Sequence, residues 1–203
     1  MAPRTDERQQ VSARRAAILE AAALEFAARG FEGTRATDVA RRAGVASGTV
    51  FYHFGDKATL FREIFATDLP RARELARQAR RLTDPLRAVL HLVDGLSADV
   101  TTPGAALLAA ELVRRTTVDE QLARVVVETD ETTRTALTEL IERGTGSGRF
   151  DPTLDPSAAA ATVLAMVDGA YLHGDPEHDP RPGLRRAVAA YLCSPDPTRN
   201  LDD

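Results

Sequence analysis

Two short apolar-striped segments, Ala36 to Ala43 and Ser47 to His53, are separated by a turn built on Gly44. That spacing constrains the fold more than any other feature of the chain. A preceding helix is predicted from Ile18, Ala22 and Phe26, which recur at i, i+4 and i+8 with Leu19 beside them. Arg29 and Gly30 close it, a cation in the last turn and a glycine just beyond. Phe31 packs back as the chain turns. In the second helix Val39 and Ala40 face inward, and Val45 plugs the space under the Gly44 turn. In the third, Val50 and Phe54 point to the core, and Ser47, Thr49, Tyr52 and His53 occupy the other face. Gly55 ends that helix, and Asp56 is a good N-cap for a fourth. Two helices joined by a short glycine turn, the second with small and hydroxyl residues outward, form a helix-turn-helix suited to a DNA major groove.

The chemistry of the third helix agrees with that placement. Ser47, Gly48 and Thr49 permit close approach, their hydroxyls donate or accept, and the Thr49 methyl suits a thymine methyl. Lys57 stands at a helix N-terminus, where an anionic phosphate is favoured. The pattern Phe31-x-x-Thr34, Val39-Ala40, Ala43-Gly44-Val45, Gly48-Thr49-Val50, Tyr52-His53-Phe54 and Lys57 resembles the tetracycline-repressor-like (TetR) family of bacterial regulators, most strongly over residues 12–62. The resemblance implies an all-α fold. It would comprise an N-terminal three-helix helix-turn-helix DNA-binding domain, residues 13–58, and a larger helical ligand-binding and dimerisation domain, residues 59–194. It implies phosphate contacts from Arg14, Arg15, Thr34, Arg35, Tyr52 and Lys57, with Ser47, Gly48, Thr49 and His53 facing bases. Three positions depart from the family pattern. Ala46 and Arg35 stand where hydroxyl N-caps are usual. Phe51 replaces a common Tyr, so a phosphate hydrogen bond from that ring is lost. For Arg35 two readings stay open, a lost cap or a gained phosphate contact.

Composition alone does not announce a nucleic-acid binder. The net charge is −4, divided as +2 over residues 1–65 and −6 over the remainder. Lys57 is the sole lysine of the chain. Cys193 is the single cysteine, which excludes an internal disulfide or a cysteine metal cage. No apolar run reaches the length of a membrane span, and the polar start MAPRTDERQQ has no signal-peptide core, so a soluble cytoplasmic protein is expected. Residues 1–12 read as a disordered basic arm and 195–203 as a disordered tail.

The rest of the chain reads as helices only. Pro70 interrupts the fourth, either kinking or restarting it. Asp84-Pro85 opens a fifth, Pro103-Gly104 a sixth, and a Thr117-x-x-Glu120 capping box a long seventh. Asp155-Pro156 opens an eighth, and a ninth runs from Gly183 to Leu192. Thr129 and Thr133 sit in the apolar stripe of the seventh helix. They line a pocket for a small-molecule effector, or each bonds the carbonyl one turn back in an ordinary core. Glu111 and Tyr171 are the other candidate ligand residues. His91 and Glu111 are too few to define a metal site, and His173, Asp175, His178 and Asp179 read as a solvated loop, so no metal and no cofactor are expected. The last two helices carry a small-residue run, Ala158 to Ala161, and the resemblance implies that they pair with their copies in a homodimer. The expected function is a DNA-binding regulator, a repressor of a near-palindromic double-stranded operator released by an unknown effector. The alternatives are a DNA-binding factor governed by a protein partner, and a helical carrier of small molecules or lipids. An enzyme is not expected: no GxSxG, phosphate loop, HExxH or Cys–His spacing occurs.

Overall fold

The computed structural model describes residues 5–173 and 177–193. Among them lie ten helices and no strand. These are α1 (Thr5–Gly33), α2 (Ala36–Ala43), α3 (Ser47–Phe54), α4 (Lys57–Ile64), α5 (Asp68–Arg81), α6 (Pro85–Leu96), α7 (Ala105–Thr116), α8 (Glu120–Gly146), α9 (Pro156–His173) and α10 (Arg181–Cys193). Nine helices were expected, and the tenth comes from Pro70. The fourth helix stops at Ile64, and a new one starts at Asp68 with Pro70 in its first turn, where a missing N–H costs nothing. The arm expected over 1–12 is helical from Thr5, because Glu7, Arg8, Gln9 and Gln10 are good helix formers continuous with the Ile18 stripe. Residues 1–4 and the expected tail over 195–203 lie outside the described residues, as does Asp175 of the expected loop.

The chain divides into two compact units. Unit 1 comprises residues 1–67 and 103–125, unit 2 residues 68–102 and 126–203. The boundary expected at residue 58 therefore moves. Leu60, Phe61 and Phe65 of the α4 region share one core with Ile18, Phe26, Val39, Val50 and Phe54, and Leu122 joins it. Helix α7 packs along α1 in the same unit. Four rings organise this core. Phe61 meets Phe26 edge-on at 5.0 Å between centroids, Phe31 edge-on at 5.6 Å and Phe65 at a tilt at 5.3 Å. These are favourable quadrupole arrangements. In unit 2 the core is aliphatic, centred on Leu92, Leu137, Leu140, Ile141, Val163 and Leu192.

Caps explain most of the boundaries. The Asp56 carboxylate accepts the Thr59 amide at 2.6 Å, Asp84 those of Leu86 and Arg87, and Asp155 that of Ala158. The capping box expected at Thr117 is not the one formed. The Thr117 hydroxyl donates back to the Arg114 carbonyl, and Asp119 caps α8 by accepting the Leu122 amide at 3.1 Å. A carboxylate next to the helix start outcompetes a hydroxyl two residues further away.

Asp119 also accepts from Arg62 of α4 at 2.9 Å. Burial alone would raise its pKa. The Leu122 amide, together with the hydrogen bond and charge of Arg62, outweighs burial and leaves the carboxyl below its ordinary 3.8. A depressed folded-state value adds stability that is present above the unfolded pKa and lost as pH falls through the folded one. Acid titration of thermal stability is expected to show Asp119→Asn differing from wild type at neutral pH, with the gap closing from about pH 5 downward.

A candidate nucleic-acid interface

Helix α3 is positioned by a turn that only glycine makes easily. Gly44 has φ +67° and donates its amide to the Ala40 and Arg41 carbonyls, ending α2 in a left-handed cap. Val50 and Phe54 then anchor α3 in the core. Neither helix has a side-chain N-cap: Ala46 before α3 and Arg35 before α2 make no cap hydrogen bond. Replacing Ala46 with Ser is expected to raise the unfolding free energy by about 1 kcal/mol, measured by denaturant titration.

The outward residues of α3 divide into a crest and a flank. Gly48, Phe51 and Tyr52 form the crest with Gly55 beyond them, and Tyr52 is 86% exposed and Phe51 51%. Ser47 is exposed at the first turn, whereas Thr49 and His53 are half-buried on one flank. The Tyr52 and His53 rings meet edge-on at 5.3 Å. No acidic side chain occurs on α3. In the same unit, Arg14 and Arg35 are exposed. Arg15 lies over the Phe54 ring at 5.0 Å and pairs with Glu63 at 2.5 Å.

Two expected phosphate contacts have other work. Thr34 is 2% exposed, and its hydroxyl lies 2.8 Å from the Gly30 carbonyl and 3.0 Å from that of Glu25. It stitches the end of α1, where Gly30 turns the chain at φ +69°, and its side chain is out of reach of a phosphate. The Lys57 ammonium donates to the Phe31 carbonyl at 2.9 Å and lies 3.4 Å from that of Thr34. It also sits 4.5 Å from the centre of the Phe31 ring. An ammonium at the α4 start collects lone pairs left free by the α1–α2 turn, which is a structural staple first. The alanine variant is expected to lose about 1–3 kcal/mol of stability, read by thermal denaturation, so its DNA affinity must be measured well below its melting temperature.

The sequence reading missed two features here. The first is the ion-pair set that clamps α1 to α2. Glu25, only 2% exposed, accepts from Arg42 at 2.7 Å and lies 3.3 Å from Arg29, and Asp38 pairs with Arg29 and Arg41. Glu25 falls on the inward stripe between Ala22 and Arg29, a signal readable from helical spacing. The second is Phe51, which shares the crest with Gly48 by its i+3 spacing.

Of the four expected ligand residues, Glu111 lies in unit 1 and Thr129, Thr133 and Tyr171 in unit 2. Glu111 belongs to unit 1, where it is buried, pairs with Arg114 at 2.6 Å and faces the bare Cα of Gly30. The Thr133 hydroxyl donates back to the Thr129 and Asp130 carbonyls, each at 3.0 Å, as in an ordinary core helix. Thr129 is half-buried beside it. The Tyr171 hydroxyl donates to the Leu96 carbonyl at 3.0 Å at the end of α6. Burial first, then the nearby Asp99 charge, raises its pKa above 10.0. Unit 2 does hold an open groove of about 430 Å³ between α5 and α8, lined by Arg73, Arg80, Glu128, Glu131, Thr132 and Thr135. No group of three or more metal-ligating side chains occurs among the described residues. None of the described helices is long and apolar enough to cross a membrane.

An all-α chain whose short third helix carries an exposed, acid-free face behind a glycine turn defines the helix-turn-helix class. Comparison with known proteins refines this. Residues 18–64 match the family of bacterial regulatory proteins, tetR family, and residues 84–194 match the C-terminal domain of BetI-type transcriptional repressors. The chain belongs to the TetR family of DNA-binding transcriptional regulators, which are not enzymes. It is 42% identical over 55 residues to the HTH-type transcriptional repressor KstR2 of Mycobacterium tuberculosis, a match spanning 27% of this chain and 28% of that relative's length. It is 29% identical over 179 residues to the HTH-type transcriptional regulator TtgR of Pseudomonas putida, covering 83% and 82% of the two chains. Among solved structures, the regulator FadR of Bacillus subtilis in complex with stearoyl-CoA shares the fold, with a TM-score of 0.67 at 17% identity over 87% of this chain and 98% of that one.

Proposed function

We propose that this protein is a cytoplasmic repressor that binds a near-palindromic duplex operator as a dimer and is released by a small-molecule effector. The crest of α3 carries the reading. Gly48 has ordinary helical φ, and a Cβ built on it would meet nothing within 4 Å. A helix-interior glycine costs roughly 0.5–1 kcal/mol relative to alanine. Nothing inside the protein requires one here, so the empty space is explained by a partner that approaches the backbone.

Dimerisation is supported by the outward residues of α9 and α10. Ala158, Ala165 and Leu172 are exposed and Gly169 half-buried along one side of α9, and Gly183, Ala187 and Ala190 are exposed on α10. Added Cβ atoms at Gly169 and Gly183 meet only open space, which suits close helix approach. Symmetry then sets two α3 helices one turn of DNA apart, about 34–36 Å. For the effector, the support is the α5–α8 groove, whose Arg, Glu and Thr side chains offer donors and acceptors to a ligand with polar groups. A coupling of about 1–3 kcal/mol between effector and operator suffices for release.

The test is fluorescence anisotropy of the protein on the duplex upstream of its own gene, over a salt series. Binding should weaken steeply as salt rises. Absence of binding even at low salt would refute the reading. Stearoyl-CoA, the molecule held by the structurally similar FadR, is a first effector to add to the complex. A second reading, control by a protein partner, draws on Leu107 and Val113, large apolar side chains exposed on α7. Operator binding insensitive to small molecules, yet altered by a co-purifying protein, would select it.

A further inference from the structure

We infer that the groove between α5 and α8 takes a small zwitterion, an amino acid or short peptide, with its carboxylate on Arg73 and Arg80 and its ammonium on Glu131. The inference rests on the effector reading above and names the class of molecule bound there. Helix α5 packs on α6, and its buried residues are small: Ala72, Ala76 and Ala79. Arg73 and Arg80 line the groove from α5, two turns apart, about 10 Å along the helix axis. Across from them α8 supplies Glu128, Glu131, Thr132 and Thr135, spaced i, i+3, i+4 and i+7 on one face. The space between the helices is about 430 Å³ and opens to solvent.

The lining selects its occupant in two ways. It consists of two guanidiniums, two carboxylates and two hydroxyls, with no apolar side chain. An acyl chain or aromatic ring gains by leaving water only where apolar surface covers it, so this groove does not suit one. Equal numbers of each charge oppose a ligand of one sign and suit a ligand that carries both. The lining also keeps donors and acceptors that the protein does not use. Arg73 lies 3.6 Å from Glu128, beyond hydrogen-bond reach, so its planar fork is free for a carboxylate. Arg80 gives its Nε to Glu139 at 2.6 Å and holds its terminal nitrogens in reserve. The Thr132 hydroxyl donates to the Glu128 carbonyl at 2.7 Å, which leaves its lone pairs to accept. Glu131 and Thr135, both exposed, make no hydrogen bond or ion pair among the described residues. A carboxylate with hydroxyls beside it offers an ammonium three acceptors.

Free amino acids and dipeptides are screened by thermal shift of the full-length protein. The best of them is then measured by isothermal titration beside its deaminated and decarboxylated analogues. Each analogue lacks one charge and is expected to bind about 10-fold more weakly. Glu131→Gln should bring the affinity ratio between the zwitterion and its deaminated analogue to about one, and keep the other ratio as in wild type. Arg73→Gln should lower the ratio against the decarboxylated analogue and spare the first. Circular dichroism checks that both variants are folded. If no amino acid or dipeptide shifts the melting temperature, the ligand class is overturned; release of the operator by stearoyl-CoA in that case would leave the effector reading standing. Analogues that bind as well as the zwitterion would overturn recognition of both charges. Ratios unchanged in both variants would overturn the placement in this groove. A zwitterion that binds there and leaves operator affinity unaltered would uphold the site and overturn its effector role.

Discussion

Phe61→Ala is expected to lower the unfolding free energy by about 3–5 kcal/mol. Phe61 is 1% exposed and touches three other rings, Phe26, Phe31 and Phe65, each within 5.0 to 5.6 Å between centroids. Removing it deletes transfer free energy, leaves a cavity among rigid neighbours that relax poorly, and cancels three edge or tilted ring contacts. A domain is usually stable by only about 5–15 kcal/mol, so the loss consumes a large part of the total. Because the same core holds Val50 and Phe54, the roots of α3, DNA binding should fail at a lower temperature than in wild type. Chemical denaturation followed by circular dichroism measures the first effect. Anisotropy against temperature measures the second, and coincident wild-type and variant midpoints would show that the ring cluster contributes nothing distinctive.

Gly48→Leu should separate stability from function in opposite directions. Leucine is nearly as good a helix former as alanine, so relieving an interior glycine should stabilise the fold by about 0.5–1 kcal/mol. A Cβ at this position meets nothing within 4 Å in the free protein. On DNA the same side chain would occupy the space through which a groove approaches the α3 backbone. A lost base contact costs about 1–3 kcal/mol, and a symmetric dimer pays twice, so affinity should fall on the order of 100-fold. A variant that melts higher and binds as well as wild type would show that the glycine has no partner.

The sequence carried the architecture because its signals are local. Apolar residues at helical spacing, Asp before Pro at 84–85 and 155–156, and Gly44 after a short helix each specify a neighbour a few residues away. The candidate site was less legible where side chains answer to distant partners. Thr34 looked like a surface hydroxyl until the Gly30 turn brought carbonyls to it from a helix already ended. Lys57 faces the same turn from 26 residues away. Glu111, a candidate ligand residue from sequence, meets the glycine kink of α1, an encounter set by how α7 packs in unit 1. Spacing fixes which face a residue occupies; it does not say which element covers that face.

The staple at Lys57 has a practical consequence. As the chain's sole lysine, it marks the one peptide bond that a lysine-specific endoprotease can cut, between residues 57 and 58 in the first turn of α4. Cleavage there requires that turn to open. With closing fast relative to cutting, the digestion rate reads the opening equilibrium of the DNA-reading head alone, with no label and a single product pair. Operator or effector added to the digest would then report, as protection or exposure of one bond, which way each pushes that head.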